Sequence, residues 1–98
     1  MAKKVGFIGC GNMGSAILNG ILTAKIVDKK DVLVSARSEE SKNRIAEEFD
    51  VTITDNRKVA EGCDIIFLAV KPNVFPVVID DIKDAMPHNK MPLIISIA

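Results

Sequence analysis

Three closely spaced glycines near the start of the chain, Gly9, Gly11 and Gly14, are the residues whose spacing points most clearly to chemistry. They lie in the stretch GFIGCGNMGSAILNGIL, between a short apolar run at residues 5–8 and an amphipathic stretch. Glycine weakens regular structure by about 0.5–1 kcal/mol relative to alanine, so three together indicate a requirement of the backbone. A G-x-G-x-x-G pattern that follows a strand and opens a helix is typical of a loop that binds a dinucleotide.

Each glycine of this loop has its own expected role. Gly9 permits the tight turn, Gly11 lets a pyrophosphate approach the backbone, and Gly14 allows the helix to pack close to the strand. The free N–H groups at the helix start, together with the helix dipole, then face the anion. The alternative is a tight turn without a ligand, which we disfavour because one glycine would be enough for a turn.

The stretch VLVSARSEE, at the end of the second apolar segment, predicts which dinucleotide binds. A site selective for NAD has Asp or Glu here, about 20 residues beyond the glycines, to accept from the ribose 2′-hydroxyl. This chain has Ser35, Arg37 and Ser38 instead. Because arginine forms charge-assisted bonds to phosphate, we expect Arg37 to bind a 2′-phosphate and NADPH to be preferred over NADH. The alternative is that Arg37 is an ordinary solvated charge.

The remaining apolar residues alternate between the spacing of strands and that of helices. Apolar runs predict strands at residues 5–8, 32–34, 51–53, 65–70 and 93–98, the fourth of them buried on both faces. Spacings of three and four predict helices from 12 to about 24, after a cap at Ser38, from Asp55 to Gly62, and over 75–86 with Pro76 in its first turn. This order predicts an α/β fold: a Rossmann-like, doubly wound parallel sheet with helices on both faces.

The composition excludes several other classes of protein. The 98 residues are 48% hydrophobic, and 13 Lys and Arg balance 13 Asp and Glu, so we expect one globular domain without nucleic acid as a partner. The two cysteines are far apart, which predicts neither a metal site nor a disulfide and favours the reducing cytoplasm. Because no apolar run reaches 18 residues, we expect no membrane association. His88 is expected on a solvent-facing loop.

Two further stretches extend the pattern to a known family. LAVKP, residues 68–72, is expected where the fourth strand ends, and TDN, residues 54–56, follows the third strand at the same edge. Together with VGFIGCGNMG, the S-x-R of residues 35–37 and IISIA, they resemble pyrroline-5-carboxylate reductase over essentially the whole chain. The related 3-hydroxyisobutyrate and 6-phosphogluconate dehydrogenases share the glycine loop but usually lack the AVKP ending.

The resemblance implies roles for individual residues. Residues 8–13 would hold the pyrophosphate, Ser35 and Arg37 the 2′-phosphate, and Asn56 the adenosine ribose. Residues 69–72 would line the ribose on the nicotinamide side, and residues 96–98 would approach the nicotinamide. The cofactor-binding residues that the motifs and the resemblance together predict are Ile8, Gly9, Cys10, Gly11, Asn12, Met13, Gly14, Ser35, Arg37, Ser38, Asn56, Ala69, Val70, Lys71, Pro72, Ser96, Ile97 and Ala98.

Three of these assignments have simpler alternatives. Asn56 is equally suited to the start of a helix, and Lys71 to a solvated charge whose backbone does the binding. We expect Cys10 to contribute its backbone N–H rather than its thiol, because no nearby Lys, Arg or His is evident that would lower the thiol pKa. No catalytic residue and no metal ligand is predicted in the chain.

The function implied by the resemblance is reduction of Δ1-pyrroline-5-carboxylate to L-proline by a homo-oligomeric enzyme that uses NADPH. In this family a helical C-terminal domain holds the substrate site and the dimer surface. We therefore expect residues 1–98 to be a cofactor-binding domain, incomplete at its C-terminal end, that binds NADPH without catalysis; a complete five-stranded domain is the alternative. Other readings are another NADP-linked reductase, of the β-hydroxyacid dehydrogenase or coenzyme F420-dependent type, and a nucleotide sensor. A methyltransferase fits poorly, because those enzymes generally place an acid at the end of the second strand, where this chain has Ser35 and Arg37.

Overall fold

A five-stranded parallel sheet forms the centre of the protein. The structure is a computed structural model that describes residues 3–86 and 92–97, with Asn12 described by its backbone alone. The strands are Val5–Ile8 (β1), Val32–Ser35 (β2), Thr52–Thr54 (β3), Ile65–Leu68 (β4) and Leu93–Ser96 (β5). They lie in the order β3-β2-β1-β4-β5, and every neighbouring pair is parallel. The predicted Rossmann-like fold is confirmed, whereas the predictions for His88 and Ala98 fall outside the described residues.

Four helices connect the strands within the part of the chain that the structure describes. They are Asn12–Thr23 (α1), Glu39–Phe49 (α2), Asn56–Gly62 (α3) and Phe75–Ile82 (α4), with short 3₁₀ turns at Lys29–Asp31 and Pro72–Val74. The two predicted N-caps are present: Ser38 Oγ accepts from the N–H of Ser41 at 3.1 Å, and Asp55 Oδ1 accepts from the N–H of Lys58 at 2.8 Å. Pro76 lies in the first turn of α4, where its missing N–H costs no helical hydrogen bond. None of the described helices is both long and apolar enough to cross a membrane.

The core is divided between the two faces of the sheet, because successive side chains of a strand point to opposite sides. Val5 and Phe7 of β1 pack with α1 and α2, whereas Ile8 packs with α3 and α4. The largest side chains that are almost completely buried are Phe7, Ile8, Leu18, Ile45, Ile66, Ile82, Val32, Val34 and Val59. Burial of each of these side chains contributes about 1.5–3 kcal/mol to the stability of the fold. This packing fixes the helices against the sheet and so holds its carboxyl edge in place.

Several predicted boundaries need correction: the second strand extends to Ser35 instead of residue 34, and the fifth ends at Ser96, so that Ile97 lies beyond it. The third strand is Thr52–Thr54, one residue later than predicted, because Leu33 of β2 pairs with Thr52. The fourth strand ends at Leu68 instead of residue 70, and the last helix ends at Ile82 instead of residue 86.

The prediction that the fourth strand is buried on both faces is also wrong. Ile66 and Leu68 are buried beneath α3 and α4, but Ile65 and Phe67 on the other face are only half-buried. Phe67 stacks on Phe7, with ring centroids 4.9 Å apart, but the residue as a whole is only partly buried. An unbroken apolar run therefore predicts a strand correctly without predicting what covers each of its faces.

Candidate functional site

A cleft with a volume of about 660 Å³ lies at the carboxyl edge of the sheet. It is bounded by the end of β1, the residues after β2 and β3, the turn after β4, and one side of α4. The predicted site residues that line it are Ile8, Gly9, Ser35, Arg37, Asn56 and Val70. Ligands of open parallel α/β sheets bind at this edge, so the fold brings these residues together where a ligand site is expected.

Gly9 forms the sharp turn between β1 and α1. Its φ is +78°, a backbone conformation that residues with a side chain rarely adopt. A Cβ at this position would lie 2.7 Å from the carbonyl oxygen of Ala69. The N–H of Gly9 donates to the carbonyl of Ser35 at 2.7 Å, and the N–H of Ala69 donates to the carbonyl of Ile8 at 2.9 Å. The turn is therefore clamped between the ends of β2 and β4, and glycine is required there.

Gly11 and Gly14 differ from Gly9 in what surrounds them. A Cβ on Gly14 would lie 3.0 Å from the Cβ of Ala69, so the absent side chain lets α1 approach the end of β4. A Cβ on Gly11 would meet nothing within 4 Å, and its φ of −76° is ordinary. Gly11 precedes α1 without a capping side chain, and the first turn of α1 contains no acid. The helix start thus offers free N–H groups and an open approach, which suits an anion.

Two cationic side chains flank the cleft beside β2. Arg37 is exposed, and its guanidinium makes no hydrogen bond or ion pair with any residue that the structure describes. Lys42 lines the same cleft from α2, with its amine 3.5 Å from the carboxylate of Glu39. Sequence reasoning missed Lys42, although its position four residues after the cap Ser38 places it one helical turn further along the same side of α2. Together the two cations provide a binding position for a phosphate.

A chain of polar side chains crosses the cleft from β2 to α4. The hydroxyl of buried Ser35 donates to Oδ1 of Asn56, and Nδ2 of Asn56 donates to a carboxylate oxygen of Asp81 at 3.4 Å. Asn56 is the first residue of α3, which also agrees with the alternative of a helix-start residue, although Asp55 provides the cap. Asp81 was missed, because nothing local in the sequence relates it to a position 25 residues earlier.

Cys10 is buried and its thiol lies 3.6 Å from the hydroxyl of Ser15. The prediction that no cation lies near it is wrong, because Arg44 of α2 donates to the carbonyl of Cys10 at 3.4 Å. Burial nevertheless raises the pKa of the Cys10 thiol above its ordinary value, outweighing the opposite effects of the Ser15 hydrogen bond and the Arg44 charge. The expectation of an unreactive thiol therefore follows for a different reason.

Other predicted residues lie beside the cleft instead of lining it. The hydroxyl of Ser38 is used as the cap of α2, and Met13 is exposed on α1. Lys71 and Pro72 are exposed where the chain leaves β4, and the N–H of Ile97 donates to the carbonyl of Leu68 at 2.9 Å. The predicted residues at the carboxyl ends of β4 and β5 are Ala69, Lys71, Pro72, Ser96 and Ile97. Within residues 3–86 and 92–97, no three His, Cys, Asp or Glu side chains are placed to share a metal ion.

The sequence of residues 4–98 matches the family described as NADP oxidoreductase, coenzyme F420-dependent. The chain belongs to this family. Pyrroline-5-carboxylate reductase of Escherichia coli is 38% identical over 99 residues, which cover all of this chain and 36% of that enzyme. This member of the NADP oxidoreductase family therefore spans about a third of the length of the curated relatives it matches. The resemblance to pyrroline-5-carboxylate reductase stated above is confirmed.

Solved structures of pyrroline-5-carboxylate reductases share the fold. The enzyme from Coxiella burnetii superposes with a TM-score of 0.88 and 34% identity, over 100% of this chain and 36% of that one. The Plasmodium falciparum enzyme, whose structure has NADP bound, superposes with a TM-score of 0.78 and 33% identity, over 97% of this chain and 33% of that one. Both comparisons show that this member of the NADP oxidoreductase family shares the fold of the corresponding part of solved pyrroline-5-carboxylate reductases.

Proposed function

We propose that the cleft binds NADPH, with the pyrophosphate at the glycine loop and the 2′-phosphate beside Arg37. The observation that carries the proposal is the contrast within the loop. Gly9 is locked by a positive φ and by Ala69, whereas the side of Gly11 is open at an uncapped helix start. A turn that bound nothing would need only the first of these two features. The NADP in the related Plasmodium falciparum structure supports the same choice of ligand.

The preference for NADPH over NADH is supported by the charges beside β2. No acid occupies positions 35–38, where an NAD-selective site would bind the ribose 2′-hydroxyl. Arg37 and Lys42 instead present two cations to this part of the cleft. A phosphate on the ribose pairs with both cations, whereas an unmodified ribose leaves Arg37 without an anionic partner among the described residues and Lys42 with Glu39.

Parallel titrations of the chain with NADPH and NADH, followed by the fluorescence of the reduced nicotinamide, test this proposal. We expect saturable binding of both and tighter binding of NADPH. Adenosine 2′,5′-bisphosphate should compete more strongly than ADP, because only the bisphosphate carries the 2′-phosphate. Equal affinities would remove the phosphate role of Arg37, and the absence of binding by either dinucleotide would contradict the proposal as a whole.

For the whole protein we propose reduction of Δ1-pyrroline-5-carboxylate to L-proline. The cofactor supplies the hydride for the C=N carbon, and this chain contributes the groups that hold and orient the cofactor. The identity of 38% with the Escherichia coli enzyme supports this choice of substrate. The sequence predicts that the 98 residues bind NADPH without turnover, which an assay of NADPH absorbance with the substrate present measures. Substrate-dependent oxidation by this chain would contradict that prediction.

We also propose that the whole protein is a homo-oligomer and acts in the cytoplasm. The resemblance to pyrroline-5-carboxylate reductase supports the first statement. The second is supported by the two buried cysteines, both of which are free thiols, as is typical of proteins in a reducing compartment. Sedimentation of the whole protein tests its assembly, and a monomer at micromolar concentration would contradict the proposal.

A further inference from the structure

In the polar chain formed by Ser35, Asn56 and Asp81, one group determines the donor-to-acceptor direction of the hydrogen bonds. A side-chain amide has an acceptor oxygen on one side and a donor nitrogen on the other, so Asn56 can adopt two orientations. The Ser35 hydroxyl is compatible with both, because a hydroxyl can donate or accept. The Asp81 carboxylate only accepts and is therefore compatible with one, in which Nδ2 faces α4 and Oδ1 faces β2.

This orientation decides what the cleft presents to a ligand. With one amide N–H directed at Asp81, the second N–H of Asn56 and the remaining lone pair of Oδ1 are left for another partner. The proton of the Ser35 hydroxyl is used by Asn56 Oδ1, so Ser35 can only accept further hydrogen bonds. All three residues line the cleft. The pattern of donors and acceptors beside β2 thus depends on a carboxylate that lies on the opposite wall.

We infer that Asp81 is a positioning residue for dinucleotide binding, acting through the amide of Asn56; this inference rests on the proposed binding of NADPH in the cleft. Asp81 fixes Asn56 so that its free N–H and oxygen are directed at the 3′-hydroxyl of the adenosine ribose. Because NADPH and NADH both carry this 3′-hydroxyl, Asp81 affects both dinucleotides, whereas Arg37 affects only the one with a 2′-phosphate.

Besides the bond between its carboxylate and Asn56, Asp81 connects α3 to α4 through its backbone. Arg57 Nη1 donates to the carbonyl oxygen of Asp81 at 3.0 Å, and this bond does not involve the side chain. A substitution of the carboxylate removes the bond to Asn56 and leaves the backbone link between the helices in place. The neighbouring acid, Asp80, provides a matched control, because its carboxylate pairs with Lys83 at 2.9 Å and does not line the cleft.

The test measures the dissociation constants of NADPH and NADH for Asp81→Leu, Asp81→Asn and Asp80→Leu. The Leu variant at position 81 cannot accept a hydrogen bond, and we expect it to bind both dinucleotides about three- to tenfold more weakly. The Asn variant should restore affinity to within about twofold, since its carbonyl oxygen can accept the same bond. Asp80→Leu should bind as the parent does. In an Asn56→Ala background, Asp81→Leu should cause no further loss.

Other patterns overturn the inference. Tighter binding of NADPH alone by both substitutions at Asp81 would mean that the carboxylate acts only as a repulsive charge. An equal loss with and without Asn56 would mean that Asp81 acts independently of the amide. A parent chain that binds neither dinucleotide would refute the proposed function itself. A parent that binds, together with an Asp81→Leu variant that binds equally well, would refute only the role of Asp81.

A measurement without nucleotide provides a second criterion. The side-chain NH₂ group of Asn56 gives two proton resonances in a ¹H–¹⁵N NMR spectrum, and a hydrogen bond to a carboxylate shifts one of them downfield. We expect this shift in the parent chain and in Asp80→Leu, and its loss in Asp81→Leu. Unchanged Asn56 resonances in Asp81→Leu would contradict the positioning role even if the variant bound dinucleotides poorly.

Discussion

The two regions that we propose to hold the cofactor, the glycine loop of residues 8–14 and the polar segment of residues 35–42, are built in different ways. The loop is shaped by excluded volume: Gly9 and Gly14 would place a Cβ 2.7 and 3.0 Å from atoms of Ala69. In the polar segment only Ser35 is buried, residues 37–40 are exposed, and Arg37 forms no hydrogen bond or ion pair with any described residue. The shape of the glycine loop is therefore determined by backbone packing, whereas the polar segment acts through side chains attached to the folded backbone.

This difference assigns a different contribution to each region. The loop presents backbone N–H groups, which every dinucleotide with a pyrophosphate can use, so it determines affinity in general. The polar segment presents charges that respond to a single phosphate, so it determines selectivity. Changes in the loop should therefore affect folding or all ligands, and changes at Arg37 should affect one ligand without affecting the fold.

The largest effect is expected for Gly9→Ala. The new side chain combines a positive φ with a clash against the backbone of Ala69, and we expect a loss of about 2–4 kcal/mol in the free energy of unfolding. Urea denaturation followed by circular dichroism measures it. Gly20→Ala is the control, because a Cβ there meets nothing within 4 Å and alanine favours the interior of α1. Equal stability of the Gly9 variant and the parent would show that the loop is not clamped.

Reversal of the charge at position 37 should separate the two dinucleotides. In Arg37→Asp we expect the affinity for NADPH to fall about 10- to 100-fold, because a charge-assisted hydrogen bond is replaced by repulsion, while NADH changes by less than about threefold. Fluorescence titration measures both constants. Lys30→Asp makes the same charge change at the amino end of β2, away from the cleft, and should leave both affinities as they are. Equal losses for the two dinucleotides in Arg37→Asp would refute its role in selectivity.

Gly11→Ala should separate binding from folding within the loop. Because the space around Gly11 is open and its φ is −76°, we expect unfolding free energy within about 0.5 kcal/mol of the parent. The added methyl group would stand where the pyrophosphate approaches, so NADPH and NADH should both bind on the order of tenfold more weakly. The two titrations and a urea denaturation curve check this. Unaltered binding of both dinucleotides would place the pyrophosphate elsewhere.

The smallest effect is expected for the chemical reactivity of the two cysteines, one of which, Cys10, lies inside the glycine loop. Burial raises the pKa of Cys10 and raises that of Cys63 to about 11, so both thiols are protonated near neutral pH. At about pH 8, on the order of one thousandth of Cys63 is ionised, and alkylation by iodoacetamide should be much slower than that of free cysteine for both residues. Mass spectrometry of the alkylated chain follows the reaction. Rapid labelling of Cys10 would show that its thiol is reactive and would contradict our assignment of its role to the backbone N–H.

Local features of this protein were predictable from its sequence, and contacts between distant segments were not. The glycine loop and the caps Ser38 and Asp55 depend on a few neighbouring residues, and all three occur where they were predicted. Asp81 and Arg44 act on Asn56 and Cys10 across 25 and 34 positions, so no local pattern could reveal them. The half-exposed face of β4 could not be predicted for a related reason, since it depends on which elements cover the strand.

The central claim, that the loop binds every dinucleotide while Arg37 recognises the 2′-phosphate, is tested most directly by ¹H–¹⁵N NMR of the chain with NADPH and, separately, with NADH. We predict that the backbone amides of Gly9 and Gly11 shift with both dinucleotides. The side-chain Nε–H resonance of Arg37 should shift with NADPH alone. Shifts of Arg37 with both dinucleotides, or undisturbed amides at Gly9 and Gly11, would contradict this division of roles.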